Sequence, residues 1–246
     1  MAQVFVTRRL AGDALERLRT NADVEIWPGD MPPTREELHT RVAEAEGLLS
    51  LLSERVDGAL LDAAPKLRVV SNYAVGFDNV DVDACAARGV VVGTTGDVLT
   101  DATADLAMAL LLAAARQLAQ ARDDARAGRW RTWEPQGWLG LELRGARLAI
   151  VGAGRIGRAV AQRAQAFGME VELLGREGDL RAALARADAV SLHAPLAPET
   201  RHLIDAEALA AMRPGTILVN TARGGLVDQA ALLKATHVTA ALDVTD

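Results

Sequence analysis

The 246-residue sequence has little of several features, and each shortage excludes a class of protein. A single cysteine, Cys85, excludes an intramolecular disulfide and a cysteine-rich metal site, and no metal site is expected. The longest uncharged apolar run near the middle, residues 106–115, is far shorter than the ~20 residues that span a bilayer. The first residues also lack the apolar core of a signal peptide. We therefore expect a cytoplasmic protein with no membrane partner.

Basic residues are outnumbered by acidic ones, and aromatic residues are scarce. The chain has 27 Lys and Arg against 33 Asp and Glu, a formal net charge of −6, and such a surface repels phosphate. A nucleic-acid partner is therefore not expected. Aromatic residues make up only 3% of the chain, so the core must be built from Ala, Leu and Val in closely packed helices and buried strands. The length fits one large domain or two modest ones.

Short β-branched runs alternate with Ala- and Leu-rich segments of helical period, which predicts βαβ units around a parallel sheet. In the first part of the chain, strands are predicted at residues 4–7, 24–27, 47–52, 67–72 and 89–93. Thr34, followed three residues later by Glu37, predicts a capping box at the start of a helix. These signals predict a small α/β domain over residues 1–98 and a second domain over residues 99–246.

The longest helical pattern in the chain covers residues 100–127, and it predicts a helix that bridges the two domains. Trp130, Trp133 and Trp138 follow within nine positions, and such a cluster is often an interface anchor. A loop folded over its own helix explains the same cluster equally well. We expect a homodimer through the region 100–140, with the loop interpretation left open.

A glycine motif opens the second domain. An apolar strand at 148–151 is followed by Gly152, Gly154 and Gly157 in the spacing G-x-G-x-x-G, and by a helical pattern at 156–167. The first glycine allows a tight turn, the second lets the backbone approach a pyrophosphate, and the third allows close helix packing. The inward positions of the helix are predicted to be Val160, Ala164 and Phe167. A flavin site, an adenosylmethionine site and a turn without a ligand are the alternatives to a nicotinamide dinucleotide site.

The end of the next predicted strand concerns the choice of cofactor. An NAD site normally has an acid there, which binds the ribose 2′-hydroxyl, but this chain has Gly175 and Arg176. A guanidinium can bind a 2′-phosphate through two charge-assisted hydrogen bonds. The pattern therefore favours NADP, with NAD possible. An arginine that is merely solvated at the strand end is the alternative.

Several stretches occur in the order of one known family. They are SNYAVGFDNVD (71–81), LTDATADLAMALLL (99–112), the glycine motif with FGMEV, and SLHAPLAPETRHLI with NTARGGLVD (191–204 and 220–228). On these residues the whole chain resembles the D-isomer-specific 2-hydroxyacid dehydrogenases, most closely their glyoxylate/hydroxypyruvate reductase branch. The resemblance implies an α/β fold with two doubly wound parallel-sheet domains. A flavodoxin-like substrate domain would come first and a Rossmann-type nucleotide domain second, with the reaction in the cleft between them.

The resemblance also implies roles for individual residues. Backbone amides of Val75 and Gly76 would hold the substrate carboxylate. Arg223, just after a predicted strand, would bind the carboxylate and polarise the keto oxygen, which makes it the candidate catalytic residue. His193 is expected to be a cofactor-wall or core histidine rather than a catalyst, and Asp243 would bind the nicotinamide carboxamide. The family positions that contact the cofactor correspond to Thr103, Arg155, Ile156, Pro195, Thr221 and Asp243.

The implied activity is NAD(P)H-dependent reduction of a small 2-keto acid, glyoxylate or hydroxypyruvate, to the D-2-hydroxy acid. A dinucleotide-sensing binding or corepressor-like protein on the same fold is one alternative, and a phosphoglycerate- or formate-type dehydrogenase is another. The family's acid/base Glu and His, and its helix that returns to the first domain, have no counterpart up to Asp246. The connection after Arg176 is also short. We therefore expect a sequence that is part of a longer active protein or lacks some flexible segments.

Overall fold

The computed structural model describes residues 1–245, which divide into two compact units. The first unit is Met1–Leu99, and the second begins at Thr100. Asp246, the last residue of the predicted second domain, lies outside the described residues.

The first unit is a five-stranded parallel sheet with a helix between each pair of successive strands. Its strands are β1 (Ala2–Val6), β2 (Ala22–Ile26), β3 (Gly47–Ser50), β4 (Val69–Asn72) and β5 (Val91–Gly93). Its helices are α1 (Ala14–Arg19), α2 (Arg35–Val42), α3 (Gly58–Ala63) and α4 (Val82–Ala87). The strand order is β2-β1-β3-β4-β5, the flavodoxin-like order of a doubly wound sheet.

The second unit is also a five-stranded parallel sheet. Its strands are β6 (Arg147–Val151), β7 (Glu170–Leu174), β8 (Ala189–Leu192), β9 (Ile217–Asn220) and β10 (Thr239–Leu242). Its α-helices are α5 (Thr100–Ala115), α6 (Leu118–Arg126), α7 (Arg155–Ala166), α8 (Leu180–Arg186), α9 (Ala206–Ala211) and α10 (Gln229–Leu232), and a 3-10 helix covers Gly224–Leu226. The order β10-β9-β8-β6-β7 has its reversal at β6, between β7 and β8. The predicted α/β class with two doubly wound parallel sheets is confirmed.

The central strands β8 and β9 of the second sheet are buried on both faces. All four residues of β8 and all four of β9 are buried, as expected of parallel strands covered by helices. The inward prediction for α7 is confirmed at Val160 and Ala164, which are 1% and 0% exposed. It is wrong at Phe167, which caps the end of α7 and is 48% exposed. The helix ends at Ala166, so the periodic pattern no longer fixes the direction of the next side chain.

Local signals set several element boundaries. The predicted capping box is confirmed, because the Thr34 amide donates to the Glu37 carboxylate at 2.8 Å and the Glu37 amide donates to Thr34 Oγ1 at 3.3 Å. The strand predicted at 47–52 ends two residues earlier, at Ser50. The Leu51 amide donates to the Glu54 carboxylate at 2.7 Å, so this side chain replaces a partner in the sheet.

The single helix predicted over residues 100–127 is wrong, because the chain bends by 58° between α5 and α6. At the bend Gln117 has a φ of 51°, in the left-handed region. The Ala115 carbonyl accepts a hydrogen bond from the Leu141 amide at 2.9 Å. The Gln117 side-chain amide donates to the Leu139 carbonyl at 2.6 Å. The segment that follows the tryptophans thus binds groups at the bend, and this contact overrides the local helical pattern.

Much of the apolar face of α5 belongs to the core of the second unit. Its buried residues are Ala104, Ala107, Met108, Leu111 and Ala115. They share one cluster with Leu148 and Ile150 of β6 and with Val160 of α7. Within residues 1–245, no single helix has the length and apolar character to cross a membrane. The bent pair of α5 and α6 meets those two criteria only when taken together.

Candidate functional site

The five strands of the second sheet are parallel, so their carboxyl ends lie along one edge of that sheet. A candidate residue follows each strand at this edge. They are Gly152 after β6, Gly175 after β7, His193 after β8, Thr221 after β9 and Asp243 after β10. The sheet thus gathers residues that are up to 91 positions apart in sequence. Open α/β sheets place ligands at this edge, beside the point where the strand order reverses.

The three glycines of the motif meet different surroundings. Gly152 has a φ of +112°, and a Cβ there would lie 2.5 Å from the carbonyl carbon of His193. A Cβ on Gly157 would lie 2.0 Å from the Gly152 carbonyl oxygen. A Cβ on Gly154, by contrast, would meet nothing within 4 Å. The outer glycines therefore permit close backbone packing, while Gly154 borders open space at the amino end of α7, where backbone amides favour an anion.

The next two residues begin α7. Arg155 is exposed, and Ile156 is half-buried against the core cluster of the second unit. Pro195 is exposed beyond β8, and its carbonyl accepts a hydrogen bond from Thr200 Oγ1 at 2.7 Å. Thr103 lies half-buried in the first turn of α5, on a helix rather than at a strand end.

Two polar residues, Thr221 and Asp243, directly follow β9 and β10 at this edge. Thr221 is only 9% exposed, and its Oγ1 has no hydrogen-bond partner among the described residues. A buried hydroxyl without a partner is costly, so a polar group of a ligand would stabilise it. The exposed Asp243 follows β10, and its amide donates to the Asn220 carbonyl at 3.0 Å. The glycine cradle and the Thr221 hydroxyl both fit a bound dinucleotide.

His193 is a largely buried ring at the same edge. Burial lowers the pKa of His193 from 6.5 to about 4, because desolvation penalises the charged imidazolium. Its Nε2 lies 2.8 Å from the hydroxyl of Ser191, a buried residue of β8 that the sequence patterns do not single out. A ring with this pKa is neutral near pH 7 and is not suited to donate a proton there.

Gly175 and Arg176 lie in an exposed turn after β7. A Cβ on Gly175 would meet nothing within 4 Å. Within the described part of the chain, Arg176 forms no ion pair. The turn can therefore accommodate a bulky anionic group beside an available guanidinium.

Arg223 is half-buried and directly precedes the 3-10 helix after β9. Its Nη1 donates to the Ala222 carbonyl at 2.8 Å. The buried Asn220 fixes this segment, because its side-chain amide donates to the Arg223 carbonyl at 2.8 Å and its Oδ1 accepts from the Ala222 amide at 3.0 Å. The motif NTARGG contains Asn220, but the sequence alone gives it no role.

In the first unit, Val75 and Gly76 lie in a turn after β4, and both are half-buried. Neither backbone amide donates a hydrogen bond to any residue from 1 to 245. Asn72 ends β4 and Asn79 follows the turn, and the two side-chain amides bind each other. The sequence patterns miss this pair, although both asparagines belong to the motif SNYAVGFDNVD. A turn with two available amides is able to bind a carboxylate.

Comparisons with known proteins place the chain among relatives of similar sequence and fold. A family model described as "D-isomer specific 2-hydroxyacid dehydrogenase, NAD binding domain" matches residues 108–246. The chain is 44% identical over 250 residues to a glyoxylate reductase of Thermococcus kodakarensis, covering 95% of this chain and 75% of that protein. A crystal structure of a protein from Thermus thermophilus matches with a TM-score of 0.91 and 47% identity, covering 99% and 82% of the two chains. A glyoxylate reductase from Paecilomyes thermophila matches with a TM-score of 0.86 and 29% identity, covering 99% and 81%.

Proposed function

Because this chain belongs to the D-isomer specific 2-hydroxyacid dehydrogenase family, we propose that it reduces glyoxylate or hydroxypyruvate to the D-2-hydroxy acid with NADPH as its preferred cofactor. Family membership makes it an oxidoreductase of small 2-keto and 2-hydroxy acids that uses a nicotinamide dinucleotide. The observation that best supports the proposal is the open space at Gly154, between two glycines whose backbone contacts exclude a side chain. The names of the relatives support glyoxylate as substrate.

We assign the dinucleotide to the second unit and the substrate carboxylate to the first. The family match to residues 108–246 supports the first assignment. Gly152, Gly154 and Gly157 would hold the pyrophosphate, together with the first turn of α7 at Arg155 and Ile156. Thr221 and Asp243 would bind the nicotinamide carboxamide through a hydroxyl and a carboxylate, with Thr103 and Pro195 as further contacts. When bound, the dinucleotide supplies the hydride.

The preference for NADPH depends on the turn after β7. Gly175 brings no negative charge to this turn, and Arg176 brings a cation that has no ion-pair partner among residues 1–245. A 2′-phosphate would gain a charge-assisted contact that a 2′-hydroxyl lacks. NADH would then be a weaker alternative cofactor rather than an excluded one.

We assign Arg223 the role of stabilising the transition state. Negative charge develops on the keto oxygen as the carbonyl carbon accepts a hydride, and a guanidinium stabilises that charge. The side chain is half-buried, and Asn220 holds its backbone, so little reorganisation is needed when charge develops. Val75 and Gly76 would bind the substrate carboxylate through their backbone amides, without adding a competing charged side chain.

The test is oxidation of NADPH that depends on glyoxylate or hydroxypyruvate. Arg223→Ala should lower kcat/KM by at least ~100-fold and leave the NADPH Kd and the Tm nearly unchanged. Arg181→Ala is the matched control, because Arg181 forms an exposed ion pair with Glu207 in the same unit. Turnover of other 2-keto acids but of neither of these two would contradict the substrate assignment. A large fall in Tm with retained activity would make Arg223 a structural residue.

We also infer a homodimer through the region 100–140. Trp130 and Trp133 are 64% and 89% exposed, and Leu118 and Leu139 are 55% and 65% exposed. Large exposed apolar side chains close together in sequence favour a protein interface. Light scattering should give twice the 26.0 kDa mass of the chain, and Trp133→Lys should shift the mass towards the monomer. A monomeric wild-type protein at high concentration would contradict this assembly.

A further inference from the structure

Two asparagine side chains, Asn72 and Asn79, bind each other across the turn that follows β4, and this pair is called the clasp below. Asn72 is 1% exposed, and its Nδ2 donates to Asn79 Oδ1 at 3.1 Å. Asn79 Nδ2 donates back to Asn72 Oδ1 at 3.2 Å. Asn72 Nδ2 also donates to the Gly76 carbonyl at 2.9 Å, inside the turn. The pair therefore holds both ends of the turn and one carbonyl in its middle.

The clasp is anchored on the neighbouring loop after β3. Asn79 Nδ2 donates to the Leu51 carbonyl at 3.0 Å and to the Glu54 carbonyl at 2.8 Å. Asn79 Nδ2 has two hydrogens, which are shared among the Leu51 carbonyl, the Glu54 carbonyl and Asn72 Oδ1. The two carbonyl oxygens require the nitrogen of the amide on that side, so the orientation of the amide is determined. Loss of this nitrogen would leave both carbonyls without that donor.

The loop after β3, which carries the Leu51 and Glu54 carbonyls, is itself held in place by hydrogen bonds to the Glu54 carboxylate. Glu54 is only 3% exposed, and its carboxylate accepts three hydrogen bonds. The donors are Thr7 Oγ1 at 2.6 Å, the Leu51 amide at 2.7 Å and Ser53 Oγ at 2.6 Å. Thr7 directly follows β1, so the network joins the carboxyl ends of β1, β3 and β4. A buried polar network with its partners satisfied is rigid.

The network leaves the two central amides of the turn available. Across residues 1–245, the Gly76 carbonyl is bound by Asn72, while the Val75 and Gly76 amides donate to no other residue. We propose that Asn79, paired with Asn72 and anchored on the Glu54 loop, is a positioning residue that fixes the Val75 and Gly76 amides for the substrate carboxylate. This inference rests on the proposed function, because it assumes that the substrate is a small carboxylic acid.

The experiment replaces Asn79 and measures the KM of the carboxylate substrate separately from cofactor binding. Asn79→Ala removes the amide, and Asn79→Asp keeps its shape but faces two carbonyls with an oxygen in place of the donor. Both variants should raise the KM for glyoxylate by about tenfold or more, since small misplacements of binding groups are costly. The kcat should change by less than roughly threefold, because the two amides bind the substrate carboxylate equally in the ground state and in the transition state. The NADPH Kd should also change by less than roughly threefold, because the dinucleotide is assigned to the second unit.

A control separates positioning from general destabilisation. Thr34→Ala removes the capping box of α2 in the same unit and does not touch the turn. It should lower the Tm and leave the KM for glyoxylate unchanged. An Asn79 variant that lowers the Tm but keeps the wild-type KM would overturn the proposal. If Asn79→Ala does not fold, the isosteric Asn79→Asp decides the matter by the same measurements.

A second readout keeps this inference distinct from the proposed reaction. Oxalate resembles glyoxylate in size, presents a carboxylate with a second carboxylate in place of the aldehyde, and accepts no hydride, so calorimetry with oxalate and the NADPH-loaded protein needs no turnover. If the wild type turns over neither keto acid, the proposed function fails. Weaker oxalate binding by the uncharged Asn79→Ala than by the wild type would then still support the positioning role. Equal binding by the two proteins, or none by either, would overturn it.

Discussion

The two units of the chain share one strand order, but the carboxyl edges of their sheets carry different chemistry. The edge of the first sheet is tied together by side chains: the Glu54 carboxylate accepts from the Leu51 amide within the loop after β3, and Asn79, paired with Asn72, donates to the Leu51 carbonyl of that loop. The edge of the second sheet depends on the absence of side chains at Gly152 and Gly157, where backbone meets backbone.

This difference between the two edges corresponds to the size of the ligand proposed for each of them. A dinucleotide is long and needs room along several strand ends, and glycines provide both backbone amides and space. A small carboxylate needs only two amides held in one place, and a satisfied polar network provides that rigidity. One topology can therefore support two ligand classes, because the fold sets the edge and the residues at the edge set the chemistry.

The largest expected effect comes from adding one methyl group to the second edge. Gly157→Ala would place a Cβ 2.0 Å from a backbone oxygen that has no room to move, so we expect a loss of about 3 kcal/mol in the free energy of unfolding. NADPH binding should be lost with it. Urea denaturation and cofactor titration measure the two effects.

Gly154→Ala is the matched control for this change, since its methyl group meets nothing within 4 Å. We expect a nearly unchanged free energy of unfolding but NADPH binding weakened by roughly tenfold, because the methyl group occupies the space proposed for the pyrophosphate. Wild-type NADPH affinity in this variant would place the cofactor elsewhere.

Local signals in the sequence predict the features that local physics determines. The alternation of apolar runs and helical periods predicts βαβ units around a parallel sheet, and Thr34 with Glu37 predicts the capping box. The glycine spacing, set between a strand and a helix, predicts the turn at Gly152, which has a φ of +112°, and the close packing at Gly157. Each of these signals is read within a short window, where spacing and residue type are sufficient.

The features that the sequence does not predict depend on contacts between distant segments. The bend at Gln117 depends on the Leu139 carbonyl, 22 residues away. The clasp at Asn79 depends on the Leu51 carbonyl, 28 residues away. The unpartnered hydroxyl of Thr221 becomes visible only when its burial is known. No local pattern contains this information, so tertiary contacts decide these details.

A change of pH should weaken the second edge through His193. Its pKa in the folded protein is about 4, below the ordinary value of 6.5. Below pH 6.5 the histidine therefore binds a proton in the unfolded chain but not in the folded chain. The free energy of unfolding then falls as the pH drops towards 4. The loss should approach about 3 kcal/mol at the end of that range and then level off. Urea denaturation at a series of pH values measures it.

His193→Gln should remove this part of the acid-induced loss, because Gln does not titrate. His202→Asn changes an exposed histidine of the same unit and should leave the loss in place. If His193→Gln and the wild type lose equal stability between pH 6.5 and 4, the ring is not the group responsible, and its burial does not control the acid sensitivity of this edge.

A smaller effect concerns the choice of cofactor at the end of β7. Arg176→Ala removes one charge-assisted contact, worth roughly tenfold to a hundredfold in affinity, so the Kd for NADPH should rise to that of NADH. The Kd for NADH should not change. Titration of both cofactors against both proteins measures the preference. A wild-type protein that binds NADH as tightly as NADPH would contradict the NADP assignment outright.

The smallest effects are expected where the two units do not differ, at the amino ends of their helices. Thr34 caps α2 in the first unit, and Asp205 caps α9 in the second by accepting from the Ala208 amide at 2.8 Å. Replacing either residue with Ala should cost about 1 kcal/mol of stability, the usual value of an N-cap. Neither change should alter cofactor affinity or the KM for glyoxylate, since neither touches a carboxyl edge.

The cap at Thr34 should also depend on pH. Hydrogen bonds from the Thr34 side chain and backbone hold the pKa of Glu37 below its ordinary value of 4.5. A lowered pKa in the folded protein means that this contribution is present above pH 4.5 and is lost as the pH falls through the folded pKa. The destabilisation by Thr34→Ala should therefore shrink in acid, and an NMR titration should show the Glu37 pKa rising towards 4.5 in the variant. An unchanged Glu37 pKa would show that the capping box does not hold the carboxylate in solution.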